Sequence, residues 1–239
     1  MTSDTTHAER DSLIASARFV LWDLDGPICR LFAGYSAVGI ARQLVQQIDG
    51  FGMGSLLDEE ERSATDPHVA LLAVNRQRPD SDLIRELEEW LTQRELAAVR
   101  GAMPTPYADP LIRTWVSRGA RFAITTNNSG RAAAAYIQSR GIADLFPHIC
   151  GREQDLSLMK PNPHCLVQAL KSMGTHDLSQ ALMLGDAPTD YEAAQRAGVP
   201  FLGYARNERK LEALLAVGVK PEFIVGSLEQ VLDVVRRQS

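Results

Sequence analysis

The stretch Phe19-Val20-Leu21-Trp22-Asp23-Leu24-Asp25-Gly26 constrains this chain more than any other. Four apolar residues run into two acids spaced one position apart, and a glycine follows. A short continuous apolar run bounded by a turn signal predicts a strand buried on both faces. Open sheets of such strands bind ligands in the crevice beyond the strands' carboxyl ends, which is where these acids fall. Alternate residues of an extended segment point the same way, so Asp23 and Asp25 face one site if the strand geometry persists. Gly26 allows the chain to leave at positive φ or to pass close to a ligand. Two crowded carboxylates repel unless a cation or a proton relieves them. Taken alone, the pair suits a turn cap as well as a functional site.

The remaining pattern sorts into two regions. From Tyr35 to about Gly101 the spacing is helical: Val38, Ala41, Leu44, Val45 and Ile48 mark one helix, closed by Gly50-Phe51-Gly52-Met53-Gly54. Asp66-Pro67 starts a second helix as N-cap and first-turn proline, with Val69, Leu72 and Ala73 on one face. Asp80-Ser81-Asp82 starts a third, containing Leu83, Leu87, Trp90 and Leu91, with Arg85, Glu88 and Glu89 suited to solvent. Met103-Pro104-Thr105-Pro106 then reads as a hinge, and Pro27 to Gly34 as a turn or short hairpin. Beyond it, apolar strands alternate with helices at Arg121–Thr126, His148–Gly151, Ala181–Asp186, Phe201–Tyr204 and Phe223–Gly226. That alternation predicts an α/β fold, a Rossmann-like, mainly parallel sheet flanked by helices. The expected division is an α/β body of residues 17–30 and 104–239, an all-helical insert of residues 31–103, and a flexible lead-in of residues 1–16.

With 239 residues and a formal charge of −5, the chain carries no long basic run and gives no electrostatic support for binding nucleic acid. Cys29, Cys150 and Cys165 lack metal-site or redox spacing, which fits reduced thiols in a cytoplasmic protein. No apolar stretch is long enough for a signal peptide or a membrane span. Oligomeric state leaves no mark on the sequence.

The pattern of an apolar strand ending in reactive polar residues recurs. Asp23 and Asp25 end one strand, Thr126-Asn127-Asn128 another, and Asp186 with Asp190 a third. Lys160, in Leu158-Met159-Lys160-Pro161-Asn162-Pro163, stands just before a helix start marked by prolines. Individually these are an N-cap and turn, a helix cap with its dipole partner, and a solvated lysine. Together they supply the parts that phosphoryl transfer needs: a nucleophile, a proton donor and acceptor, donors around phosphate oxygens, and carboxylates for a divalent cation. Mg²⁺ suits such a site, since it takes a few hard oxygen ligands and keeps several waters.

With those four clusters in order, the sequence resembles the haloacid dehalogenase superfamily, and within it the branch similar to phosphoglycolate phosphatases. Asp23-Leu24-Asp25-Gly26 is similar to the family's first motif, Thr126-Asn127 to the second, Lys160-Pro161 to the third, and Gly185-Asp186 through Asp190 to the fourth. The helical region resembles the family's C1 cap. The resemblance implies a nucleophile strand near the centre of the sheet and a Mg²⁺-dependent phosphatase acting on a small phosphorylated metabolite through an aspartyl-phosphate. It implies Asp23 as nucleophile and Asp25 as acid and base, with Thr126, the Asn127 amide and Lys160 around the phosphate. Asp23, the Asp25 carbonyl and Asp186 hold the metal in this reading, and Asp190 acts through water or as a support. Arg30, His68, Arg76 and Arg78 are the cap-side candidates for contacting substrate. The chain departs from the family after Gly26, where Pro27-Ile28-Cys29-Arg30 replaces the usual Thr and branched apolar residue. A phosphomutase on the same core and a non-catalytic, phospho-accepting module are the alternatives; Asp25 argues against a haloalkanoic-acid dehalogenase.

Overall fold

The apolar run that precedes Asp23 forms strand β1 (Phe19–Trp22), whose last three residues are buried. The computed structural model describes residues 3–237. The further strands are β2 (Cys29–Arg30), β3 (Met103–Pro104), β4 (Arg121–Ser129), β5 (His148–Arg152), β6 (Ala181–Gly185), β7 (Phe201–Tyr204) and β8 (Ile224–Val225). Among the described residues, six strands form one sheet in the order β5-β4-β1-β6-β7-β8. Every pairing in it is parallel. β1 is therefore interior, with Phe19 to Trp22 in register with Arg121 to Ile124 on one side and Ala181 to Leu184 on the other. The Rossmann-like parallel sheet expected from the alternation is the architecture of the molecule.

Strand alternation sorts β1 between two cores. Val20 and Trp22 pack with Phe122 and Trp115 beneath one layer of helices, and Leu21 packs with Ala123, Met183 and Leu166 beneath the other. The Trp22 ring meets Phe122 and Trp115 edge-on, at centroid distances of 5.5 and 6.2 Å. Burying one such apolar side chain is worth about 1.5–3 kcal/mol, so these clusters fix the strand that presents Asp23. Asp23 shares the parity of Leu21 and emerges at the sheet's carboxyl edge.

The N-terminus differs from expectation. Residues 1–16 read as a flexible lead-in, yet Ser3–Ser16 is an α-helix. Ile14 is fully buried in the sheet's core, and Asp11 pairs with Arg237 of the final helix, Leu228–Arg237, at 2.9 Å. Ile14 and the half-buried Leu13 both pack on that core and anchor a segment whose composition is otherwise largely polar. Residues 1 and 2 of that lead-in, and residues 238 and 239 of the expected α/β body, lie outside the described residues.

The inserted region contains helices Ala37–Gly50, Glu59–Ser63, Pro67–Gln77 and Asp82–Val99. Ser36, Asp66 and Ser81 cap three of them by accepting from Gly39, His68 and Ile84 main-chain N–H groups. Ile40, Leu44, Leu71, Leu87 and Leu91 make its core, joined by Leu156 and Met159 from the larger domain. Helix Pro67–Gln77 buries Ala70, Leu71, Ala73 and Val74, while Val69 is exposed, so its inward face is rotated from the one expected. β2 and β3 pair antiparallel at the two crossings between the regions. A Cβ on Gly34 would stand 3.0 Å from the Gly101 Cα, so the crossing strands close over a glycine contact.

Candidate active site

The carboxyl ends of β1, β4 and β6 and the loop holding Lys160 open into one cavity of about 210 Å³, roofed by Asp66, Pro67 and His68 of the insert. Asp23, Asp25, Thr126, Asn127, Lys160, Asp186 and Asp190 all line it. The Lys160 ammonium organises the floor. It donates to Asp23 Oδ1 at 2.9 Å, Asp190 Oδ1 at 2.6 Å and the Thr125 carbonyl at 2.7 Å. Burial alone would lower its pKa, but Asp190 and Asp23 together raise it, so the ammonium stays charged. Its loop is held from the other side, where the Asn127 amide accepts from the Lys160 N–H at 2.8 Å and donates to the Lys160 carbonyl at 2.9 Å.

The acids are unevenly served. Asp190 Oδ2 accepts from the main-chain N–H groups of Asp186 and Ala187, each at 3.0 Å. Asp186 meets Lys210 at 2.8 Å, a partner that no local sequence signal marks. Asp25 accepts from the Leu31 N–H at 2.8 Å, which ties it to the tight turn after β1. Gly26 is needed in that turn: its φ is +129° and a Cβ there would sit 2.4 Å from Asp186 Cγ. Burial pushes Asp23 up to about 6, with Lys160 opposing and Asp190 adding to the rise. It pushes Asp186 up to about 7 against the pull of Lys210. Asp25 is raised as well, again chiefly by burial.

Asp23, Asp186 and Asp190 can each turn an oxygen to within 4.8 Å of the others. A hard divalent cation fits this donor set, because three buried carboxylates resist ionisation together unless positive charge joins them. Both oxygens of Asp190 are already engaged, so Asp23 and Asp186 are the better direct ligands and Asp190 the support.

Of the cap-side candidates, His68 reaches the cavity and the arginines do not. His68 Nδ1 lies 3.0 Å from Asp66 and its Nε2 3.6 Å from Glu95. Burial works against its charge, yet Asp66 and Glu95 prevail and raise its pKa to about 9. Arg30 sits in β2 and reaches the Met103 sulfur at 3.4 Å. Arg76 is exposed and pairs with Glu61, and Arg78 closes its helix on the surface. Sequence reasoning also missed Glu95 and Arg152, which are buried behind the cavity, and took Glu88 for a solvent-facing residue although it bonds Arg152 at 3.1 Å. One signal was available: Glu95 continues the apolar stripe of Leu87, Leu91 and Ala98, where a charge requires a buried partner.

The fold is an α/β protein with a parallel sheet whose interior strand presents two acids beneath the inserted helices. The profile of the haloacid dehalogenase-like hydrolases matches residues 17–198, and the chain belongs to that family. It is 27% identical over 211 residues to a phosphoglycolate phosphatase of Rhodospirillum rubrum, spanning 85% of this chain and 87% of the relative. It is 31% identical over 152 residues to that of Rhodobacter capsulatus, spanning 62% and 68%. Among solved structures, the haloacid dehalogenase-like protein SP0104 from Streptococcus pneumoniae aligns with a TM-score of 0.64 at 19% identity, over 91% of this chain and 98% of that one. CbbY from Rhodobacter sphaeroides, in complex with phosphate, aligns with a TM-score of 0.59 at 19% identity, over 79% and 86%. These structures share the fold. With such relatives the protein is an enzyme, a phosphoric monoester hydrolase of its family. Among the described residues no helix is long and apolar enough to cross a membrane.

Proposed function

We propose that the protein hydrolyses a small phosphomonoester in two steps through an aspartyl-phosphate on Asp23, with Mg²⁺ as cofactor. What carries this reading is the bridge from Lys160 to both Asp23 and Asp190 inside the cavity that also holds Asp25, Thr126 and Asp186. Asp23 Oδ attacks phosphorus, and the bond to the leaving alcohol's oxygen breaks. Asp25, whose raised pKa favours carrying a proton, gives that proton to the departing oxygen and then takes one from the water that cleaves the acyl phosphate. Thr126 and the main-chain N–H of Asn127 hold phosphate oxygens, and Lys160 balances the charge that builds on them.

Asp23, the Asp25 carbonyl and Asp186 would hold Mg²⁺, with Asp190 fixing the Asp186 loop from behind. When bound, the ion offsets the repulsion between the Asp23 carboxylate and the phosphate. Residues 31–103 act as the cap and residues 17–30 with 104–239 as the catalytic core. The cap excludes water and offers His68 to the leaving group. The three cysteines are free, which suits work in a reducing cytoplasm.

Phosphate release from a panel of small phosphomonoesters, 2-phosphoglycolate included because relatives bear its name, tests the proposal. Release that requires Mg²⁺ and is lost in Asp23→Asn is expected. Equal release by both proteins contradicts it.

A further inference from the structure

Behind the cavity, where helix Asp82–Val99 lies against the sheet, a second set of charges is sealed from solvent. Arg152 ends β5, Glu95 comes from the inserted helix, and both side chains have 0% exposure. The guanidinium donates through Nη1 to Glu95 Oε1 at 2.8 Å and through Nη2 to Oε2 at 3.0 Å. Its Nε reaches Glu88 at 3.1 Å and Nη2 reaches Thr92 at 3.0 Å. Nη1 also stands 3.2 Å from His68 Nε2, so two helices of the insert converge on one residue of the core.

The pair also grips the turn that the chain makes within the carboxyl end of β4, where its register with β5 shifts. Arg152 Nη1 donates to the Asn127 carbonyl at 3.0 Å. Glu95 accepts from the Asn128 side-chain amide at 3.1 Å and from the Ser129 N–H at 2.9 Å. Three consecutive residues, 127 to 129, are thus each held by one member of the pair. From the same turn, Asn127 clasps the main chain of Lys160, whose ammonium holds Asp23. Hydrogen bonds, joined through the frames of Asn127 and Lys160, thus link the inserted helix to the Asp23 carboxylate just beyond β1, although neither Glu95 nor Arg152 lines the cavity.

A buried ion pair contributes little net stability, because desolvation offsets most of the attraction; what it can secure is one geometry. We propose that Glu95 and Arg152 are positioning residues, through which seating the cap on the core and shaping the phosphate-binding turn become a single event. This rests on the phosphatase reading above, which assigns the turn to phosphate. A cap seated without the pair would leave the Asn128 amide and the Ser129 N–H without their acceptor, and the turn free to rotate its donors away from a phosphate.

The test uses the full chain carrying Glu95→Leu and Arg152→Met together. Losing one charge strands the other, whereas losing both is tolerated in buried pairs, so the double variant is expected to fold, with a midpoint lowered only by the Asn128 and Ser129 donors that lose their acceptor. Calorimetry with inorganic phosphate and Mg²⁺ is expected to show binding weakened about tenfold, with KM raised and kcat lowered by similar factors, as misplacing a binding group does. A strut that only supports the fold would move the unfolding midpoint and leave these alone. A folded double variant with parental phosphate affinity, KM and kcat overturns the proposal. Glu95→Gln, of the same size with one acceptor oxygen fewer, decides the matter if the double variant does not fold: a severalfold weakening of phosphate binding supports it and parental binding overturns it. If the parent binds phosphate but hydrolyses no phosphomonoester, the phosphatase reading fails while the phosphate affinities still decide this one.

Discussion

Two buried charge clusters lie back to back in this molecule, and they treat their carboxylates in opposite ways. In the cavity, burial pushes Asp23 to about 6 and Asp186 to about 7 in spite of Lys160 and Lys210. At the seam between the inserted helices and the sheet, burial presses on Glu95 as well, yet Arg152 and His68 pull its pKa down to about 2. The seam is electrically complete: Arg152 engages both oxygens of Glu95, and the turn's donors occupy the same acceptor. The cavity holds Asp23, Asp25, Asp66, Asp186 and Asp190 against two lysines and a histidine. A neutralised cluster fixes a shape, and an under-neutralised one is poised to take up a cation and to move protons.

The contrast breaks if the two clusters respond alike to mutation. The largest effect belongs to the cavity: Asp23→Asn lowers turnover by on the order of a thousandfold or more, yet leaves the unfolding midpoint at or above the parent's. Steady-state kinetics beside thermal melts separate the two. At the seam the order reverses, and Arg152→Met alone costs about 3–5 kcal/mol in denaturant unfolding by stranding Glu95. Metal sharpens the comparison. Mg²⁺ at a hundred times its dissociation constant stabilises the parent by about 2.7 kcal/mol, a gain that chelator removes and Asp186→Asn abolishes.

How much of this was legible beforehand follows the same division. Asp23, Thr126, Lys160 and Asp186 were readable because each sits where an apolar strand stops or a proline-marked helix starts, and the parallel sheet places such ends together. Lys210 was not, since its helix, Glu208–Ala216, begins after β7 and its partner is 24 positions away in sequence, at Asp186. Arg152 and Glu95 are 57 residues apart, and only the fold makes them neighbours. Arg30, at the border of the insert, and Arg76 and Arg78, within it, carry charge near the expected site, but Arg30 turns to Met103 and the helix that ends with the other two presents them to solvent. The N-terminal helix escaped notice because Ile14 finds its core contacts on distant elements.

Further effects probe the boundary between the clusters. His68 has a folded pKa of about 9 against an ordinary 6.5, so its contribution is complete below about pH 6.5 and is lost as pH rises through 9. Stability should fall by up to about 3 kcal/mol across that window, and His68→Gln should flatten the slope. At the low end, Arg76→Ala removes an exposed pair with Glu61 and is expected to change stability by less than about 0.5 kcal/mol, with KM unaltered.

The central claim is that phosphate passes through Asp23, and Asp25→Asn gives the most direct view of it. That substitution removes the acid of the first step as well as the base of the second, so the substrate is an aryl phosphate, whose leaving group needs no proton. The first step then proceeds and the second stalls, and acid-quenched protein should carry a phosphoryl group on the peptide containing Asp23, seen by mass spectrometry. An unmodified Asp23 in that variant, with the parent enzyme releasing phosphate from the same substrate and the variant still binding it, would contradict the account.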